Sequence, residues 1–190
     1  MKRRQVIPFR RKRTGKTDYK KRLKLLLSKK PRLVVRRSLK NIIAQIVEYK
    51  PEGDVVVVSA TSQNLKKYGW NISTSNIPAS YLTGIIIGKK ALKKGVKEAI
   101  VDAGFRIRSA RVYALVKGAI DAGLKTRANE KVLPKEEIVK GKRIKDYALK
   151  LKSKPEIYKK QFSGYIKNNI EPENIDALFE NVKKKIMEES

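Results

Sequence analysis

Residues 31–60 read PRLVVRRSLKNIIAQIVEYKPEGDVVVVSA, and their periodicity decides the fold. Arg32 to Ser38 and Asn41 to Tyr49 each alternate at the period of an extended strand, joined by a short basic turn at Leu39 and Lys40. In the second run Ile42, Ala44 and Ile46 share one face while Ile43, Gln45 and Val47 share the other. Lys50-Pro51-Glu52-Gly53 is a turn signal. Asp54 to Ala60 is then a continuous apolar run, which suits a strand covered on both faces. Three consecutive antiparallel strands in a meander are expected.

After the meander the chain turns polar from Thr61 to Pro78, and within that loop stands NLKKYGW (64–70). Tyr68 and Trp70 lie there among lysines, an arrangement able to stack on unpaired bases, although anchoring of the loop on the core by Trp70 is the preferred reading of the residues alone. Ala79 to Lys94 has a helical apolar period, with lysines gathered toward its C-terminus and Gly95 as its stop. Gly84 and Gly88 lie four apart, a spacing that allows another backbone to come close. Glu98 to Asp102 reads as a fourth strand and Ala110 to Ala122 as a second helix closed by Gly123. Helices after strands three and four can cover a sheet, so the expected class is α/β, a mixed β-β-β-α-β-α sheet.

In front of the meander, Met1 to Gly15 has neither period, and the first 22 residues hold eleven Lys or Arg against one acid, Asp18. This is a flexible cationic arm. A basic helix follows it, with Thr17 as the expected N-cap, Asp18 in the first turn, and Tyr19, Leu23, Leu26 and Leu27 on a core-packing face. Beyond Leu124 several helices are expected: one from Pro134 to about Leu151, others over 155–165 and 175–187. The organisation is therefore a flexible basic arm (1–16), an α/β domain (17–124) and a helical C-terminal extension (125–190).

Charge narrows the function. The 190 residues carry 47 Lys or Arg against 18 Asp or Glu, a net charge of +29, with hydrophobic residues at 41%, enough for a core. Self-repulsion of that size destabilises a compact chain, and a polyphosphate partner explains it. Residues 1–50 alone hold 19 bases and 2 acids, which locates the contact zone. Neither cysteine nor histidine occurs, which excludes disulfides, thiolate and imidazole chemistry, and ordinary zinc sites. No apolar run approaches the roughly 20 residues of a membrane span, and the basic start lacks the apolar segment of a signal peptide, so an intracellular protein is expected. The rival to an RNA-binding protein is a metal-dependent RNA-processing enzyme, for which Glu48, Asp54, Glu98 and Asp102 are the acids to test, since two-metal catalysis needs carboxylates converging from strand ends.

Several stretches together resemble a known family: RTGKTDYKKRLKLLLSKKPRLVVRRS (13–38), NIIAQIVEY (41–49), LKKYGWNISTSNIPASYLTGIIIGKKA (65–91), GVKEAIVD (95–102), RVYALVKGAIDAGL (111–124) and GKRIKDYALKL (141–151). The chain resembles the archaeal form of the large-subunit ribosomal protein family "L-eighteen", related to the eukaryotic cytosolic 5S rRNA-binding protein. The resemblance implies no enzyme and no cofactor. It implies binding of 5S rRNA and docking in the central protuberance of the large subunit, beside 23S rRNA and the ribosomal protein "L-five", hence a cytoplasmic, ribosome-bound protein. Carried over, it makes Arg3, Arg4, Arg10, Arg11, Lys12, Arg13, Tyr19 and Arg22 of the arm and first helix RNA contacts. Arg32, Arg36, Arg37 and Lys40 of the first strand and turn join them, with Tyr68 and Trp70 of the loop. The chain departs from the family pattern at Arg143, where a histidine is usual, and at Ser109, where a glycine is common.

Overall fold

The computed structural model describes residues 6–104 and 109–189. Strands β1 (Arg32–Arg37), β2 (Ile42–Lys50) and β3 (Gly53–Thr61) form the expected antiparallel meander. Strand β4 (Ile100–Asp102) runs parallel to β1, so the sheet order is β3-β2-β1-β4. The short turn between β1 and β2 is closed by Ser38, whose Oγ accepts from the Asn41 N–H at 2.9 Å.

That order corrects one expectation. Because β4 pairs with β1, β3 lies at the edge of the sheet among the described residues, and the exposure of its first half shows that its apolar run is not covered on both faces. Val56 is 48% exposed, and the register shifts between Ile46 and Val47 of β2. A bulge of this kind blunts an edge against further pairing.

One face of the sheet, carrying Leu33, Val35, Ile42, Ala44, Ile46 and Ala60, is buried in the apolar core beneath the helix Ile77–Lys93. We call the helices in chain order α1 (Arg10–Arg13), α2 (Tyr19–Leu26), α3 (Ile77–Lys93) and α4 (Ala110–Asp121). Helix α3 starts earlier than its apolar period suggests, since Asn76 Oδ1 accepts from the Ala79 N–H at 2.8 Å and Pro78 fits the first turn. Part of the polar loop before it is a 3₁₀ segment, Ser62–Tyr68. The close approach that Gly84 allows is made by α4: a Cβ on Gly84 would meet the Leu115 carbonyl, and one on Gly118 would meet that of Tyr81.

The C-terminal third is helical, through α5 (Glu136–Lys140), α6 (Lys142–Leu151), α7 (Pro155–Gln161), α8 (Ser163–Ile166) and α9 (Ile175–Glu188). The single helix expected over 134–151 is broken at Gly141, which adopts the left-handed conformation at φ 106°. Helix α9 packs on α3 and puts Ile175, Phe179, Val182 and Ile186 into the same apolar cluster as the sheet. The Phe179 and Tyr81 rings lie 5.7 Å apart, and Lys89 Nζ donates to the carbonyls of Ile186 (3.0 Å) and Met187 (2.8 Å) in the last turn of α9.

Candidate nucleic-acid interface

The second face of the sheet carries Arg32, Val34 and Arg36 of β1 and Gln45 and Val47 of β2, with α2 laid across it. Helix α2 is capped by Asp18, whose Oδ1 accepts from the Lys21 N–H at 3.0 Å, rather than by Thr17. Thr17 instead accepts from Arg11 Nε at 2.9 Å, tying the arm to the helix start. The expectation that α2 packs through its leucines is corrected: Leu23 and Leu27 are 61% and 73% exposed, and no residue of α2 is buried.

Charge docks this helix. Arg22 forms two bonds to the Asp54 carboxylate at 2.8 and 2.9 Å, and Lys21 Nζ donates to the Gly104 carbonyl at 2.8 Å. Arg32, only 2% exposed, reaches over β2 to Asp54 of β3 at 2.7 Å and sideways to Asp102 of β4 at 3.1 Å. Arg36 donates to the Asp102 and Val35 carbonyls at 2.8 and 2.9 Å and lies 3.5 Å from the Asp102 carboxylate. The Arg22 hydrogen bonds, followed by those of Arg32, hold Asp54 below the ordinary carboxylate range, and Asp54 in turn raises Arg22.

Between α2 and the sheet lies a cleft of about 500 Å³. Leu25, Val34, Val47 and Val56 supply its apolar lining, Gln45 a polar floor, and Arg11, Lys16 and Tyr19 part of its wall. The arm in front of it is not wholly irregular: Arg10–Arg13 form one helical turn, and the Phe9 and Tyr19 rings meet at 5.3 Å. All four residues of that turn are exposed, and no carboxylate among the described residues pairs with them.

The expected contacts thus separate into groups. Arg10, Arg11, Lys12 and Arg13 pair with no acid among the described residues, and Arg11 of that turn lines the cleft together with Tyr19; Arg3 and Arg4 lie outside the described residues. Arg22 and Arg36 line the cleft but are bonded to acids and carbonyls. Arg32 and Trp70 are removed from the surface by the fold. Trp70 is 0% exposed and its indole N–H donates to the Ser73 carbonyl at 3.1 Å, so it anchors the loop and offers no face to a base. Tyr68 sits with Lys89, Ile186 and Glu189 on the α3–α9 side, apart from the cleft, and burial followed by its bond to Glu189 raises its hydroxyl to about 12. Lys40 is exposed on the β1–β2 turn, which Thr74 clamps by a 2.8 Å bond to the Lys40 carbonyl.

Residues that the sequence did not single out are Lys16, Lys21 and Gln45 of the cleft, and Arg111. The parity of β1 was the available signal for the cleft, because it puts Arg32 and Arg36 on one face and Arg37 on the other.

Of the four acids named for a metal-dependent enzyme, three are engaged with cations, and Glu48 is not gathered with other acids in a ligand group among the described residues. Asp54 and Asp102 hold arginines and Glu98 holds Lys30. Among the described residues no group of three or more potential metal ligands converges.

Comparison with known proteins identifies the family. A model of the family described as "Ribosomal large subunit proteins 60S L5, and 50S L18" matches residues 2–100. The chain is also 50% identical over 185 residues to the "Large ribosomal subunit protein uL18" of Thermofilum pendens, an alignment covering 96% of this chain and 94% of that relative. With more than half its length matched by the one and nearly all by the other, the chain belongs to this family of large-subunit ribosomal proteins, structural components rather than enzymes.

Proposed function

We propose that this chain binds 5S rRNA and helps attach it to 23S rRNA in the central protuberance of the large subunit, beside the ribosomal protein "L-five". The observation that carries the RNA-binding part is the exposed helical turn Arg10–Arg13, which pairs with no acid among the described residues and reaches the cleft through Arg11. Phosphates are gripped by such free guanidinium and ammonium groups, whose binding releases condensed counterions. In A-form RNA the deep groove cannot be read by side chains, so selectivity for one RNA rests on its shape and its unpaired loops. A cleft of about 500 Å³ that sets Leu25, Val34, Val47 and Val56 beside one amide and several cations suits a splayed loop nucleotide with its phosphate.

The test is a titration of the purified chain with 5S rRNA against tRNA as competitor at several salt concentrations. Preference for 5S rRNA that survives high salt is expected. Equal affinity for both RNAs, collapsing together as salt rises, would leave only a polycation and sink the proposal.

A further inference from the structure

The far end of β1 carries a second arginine cluster, on the opposite face of the sheet from the cleft. Arg37 ends the strand on the side of Leu33 and Val35, facing the helical layer. Its Nε is buried and has no hydrogen-bond partner. Near it stands Arg111, in the first turn of α4, bonded to the carbonyl of Ser38, the residue that follows Arg37. One nitrogen of Arg111, Nη1, is held by two carbonyls, those of Ser38 at 3.3 Å and Ser75 at 3.2 Å. Neither arginine forms an ion pair among the described residues. Burial and then the like charge of Arg37 make the Arg111 cation less favourable than in water, with no acid acting to offset them.

Three further features give the spot a positive potential. Helix α4 has no acid in its first turn, and Ser109 makes no side-chain cap, so among the described residues no side chain compensates its N-terminal end. Lys40 extends from the adjoining turn. The turn itself is fixed, since Thr74 bonds the Lys40 carbonyl and Arg111 bonds that of Ser38. Two guanidinium groups brought together without a carboxylate, one of them clamped in place, form a prearranged fork for an oxyanion.

We propose that Arg37 and Arg111 together bind one backbone phosphate of RNA, making a second anchoring point separate from the cleft. This rests on the reading that the chain is an RNA-binding protein. Arg111 is then a contact residue as well as a clamp on the β1–β2 turn.

The test compares Arg37→Gln and Arg111→Gln with the unaltered chain in 5S rRNA binding across salt, alongside their melting temperatures. Loss of one neutralised phosphate makes the log–log salt slope shallower by about 0.7 to 0.9. Between 50 and 200 mM salt the affinity gap between variant and parent should therefore narrow by roughly threefold. Because both residues serve one phosphate, the double variant should lose no more slope than about one unit. Arg37→Gln leaves no protein acceptor unsatisfied among the described residues, so it carries the test even where Arg111→Gln fails to fold. A folded Arg37→Gln with parental slope and affinity would overturn the site. So would an Arg111→Gln that melts lower but keeps the parental slope, which would make Arg111 a clamp only. If the chain shows no preference for 5S rRNA over tRNA, the 5S assignment fails, while the slope comparison still decides this site on either RNA.

Discussion

Strand β1 puts arginines to two different uses at its two ends. At its start, Arg32 lies under α2 and spends its charge on Asp54 and Asp102, with Arg22 and Arg36 bonded to the same two acids. At its end, Arg37 lies near Arg111, which bonds the carbonyl of the next residue, and neither forms an ion pair among the described residues. The residue type is the same, and the neighbours decide its task. The first cluster is an internal tie that fixes a helix on a sheet face; the second has an unmet demand for negative charge, as do the exposed cations of α1. Counting basic residues along a chain therefore overstates its phosphate-binding groups where strand parity brings carboxylates under them.

The sharpest way to break this contrast is Arg32→Met. It leaves the buried Asp102 with the longer 3.5 Å contact to Arg36 as its only cation partner among the described residues, while Asp54 keeps Arg22, and weakening a buried ion pair in this way should cost about 3 kcal/mol. Urea denaturation should show that loss, while any folded fraction binds RNA with the parental salt slope. Next in size is the joint replacement of Arg10, Arg11, Lys12 and Arg13 by Gln. With four exposed cations gone, the salt slope should fall by about three while stability moves by less than about 0.5 kcal/mol. An unchanged slope would remove the arm from the interface.

Of the two arginine clusters, acid should act on the first. Asp54 titrates below its usual 3.8 in the folded chain because Arg22 and Arg32 bond its charged form. The unfolded chain thus binds a proton there first, so this contribution is complete above that value and lost as pH falls through the lower folded value. Stability measured from pH 5 downward should decline more gently in Asp54→Asn than in the parent. The smallest expected effect is none: emission from Trp70, the sole tryptophan and fully buried, should stay blue-shifted and unchanged when RNA is added. Quenching on binding would place a base against it.

The meander, its turns and the covering helices were legible because each depends on local period and on Gly, Pro or Asn punctuation. Alternation named Ile42, Ala44 and Ile46 as one face, and they are fully buried. What could not be read locally is what depends on distant partners. Asp102 meets Arg32 across 70 residues of chain, and nothing around either residue announces the pair. Without that pair, Arg32 reads as a phosphate contact and Leu23 as the anchor of α2, although charge docks the helix and the leucine stays exposed. The edge position of β3 likewise follows from β4 choosing β1, a topological outcome that an apolar run such as Asp54 to Ala60 does not encode. Arg111 escaped notice because a lone arginine at a helix start is ordinary until Arg37 is seen beside it.

The central claim is that neighbours, not residue type, select the cations that meet RNA. It is tested most directly by measuring the salt slope of 5S rRNA binding for Arg22→Gln and Arg37→Gln in parallel. Arg22→Gln should retain the parental slope, because its charge already belongs to Asp54, and Arg37→Gln should be shallower by about 0.7 to 0.9. The reverse order, with the slope lost at Arg22 and kept at Arg37, would contradict the account.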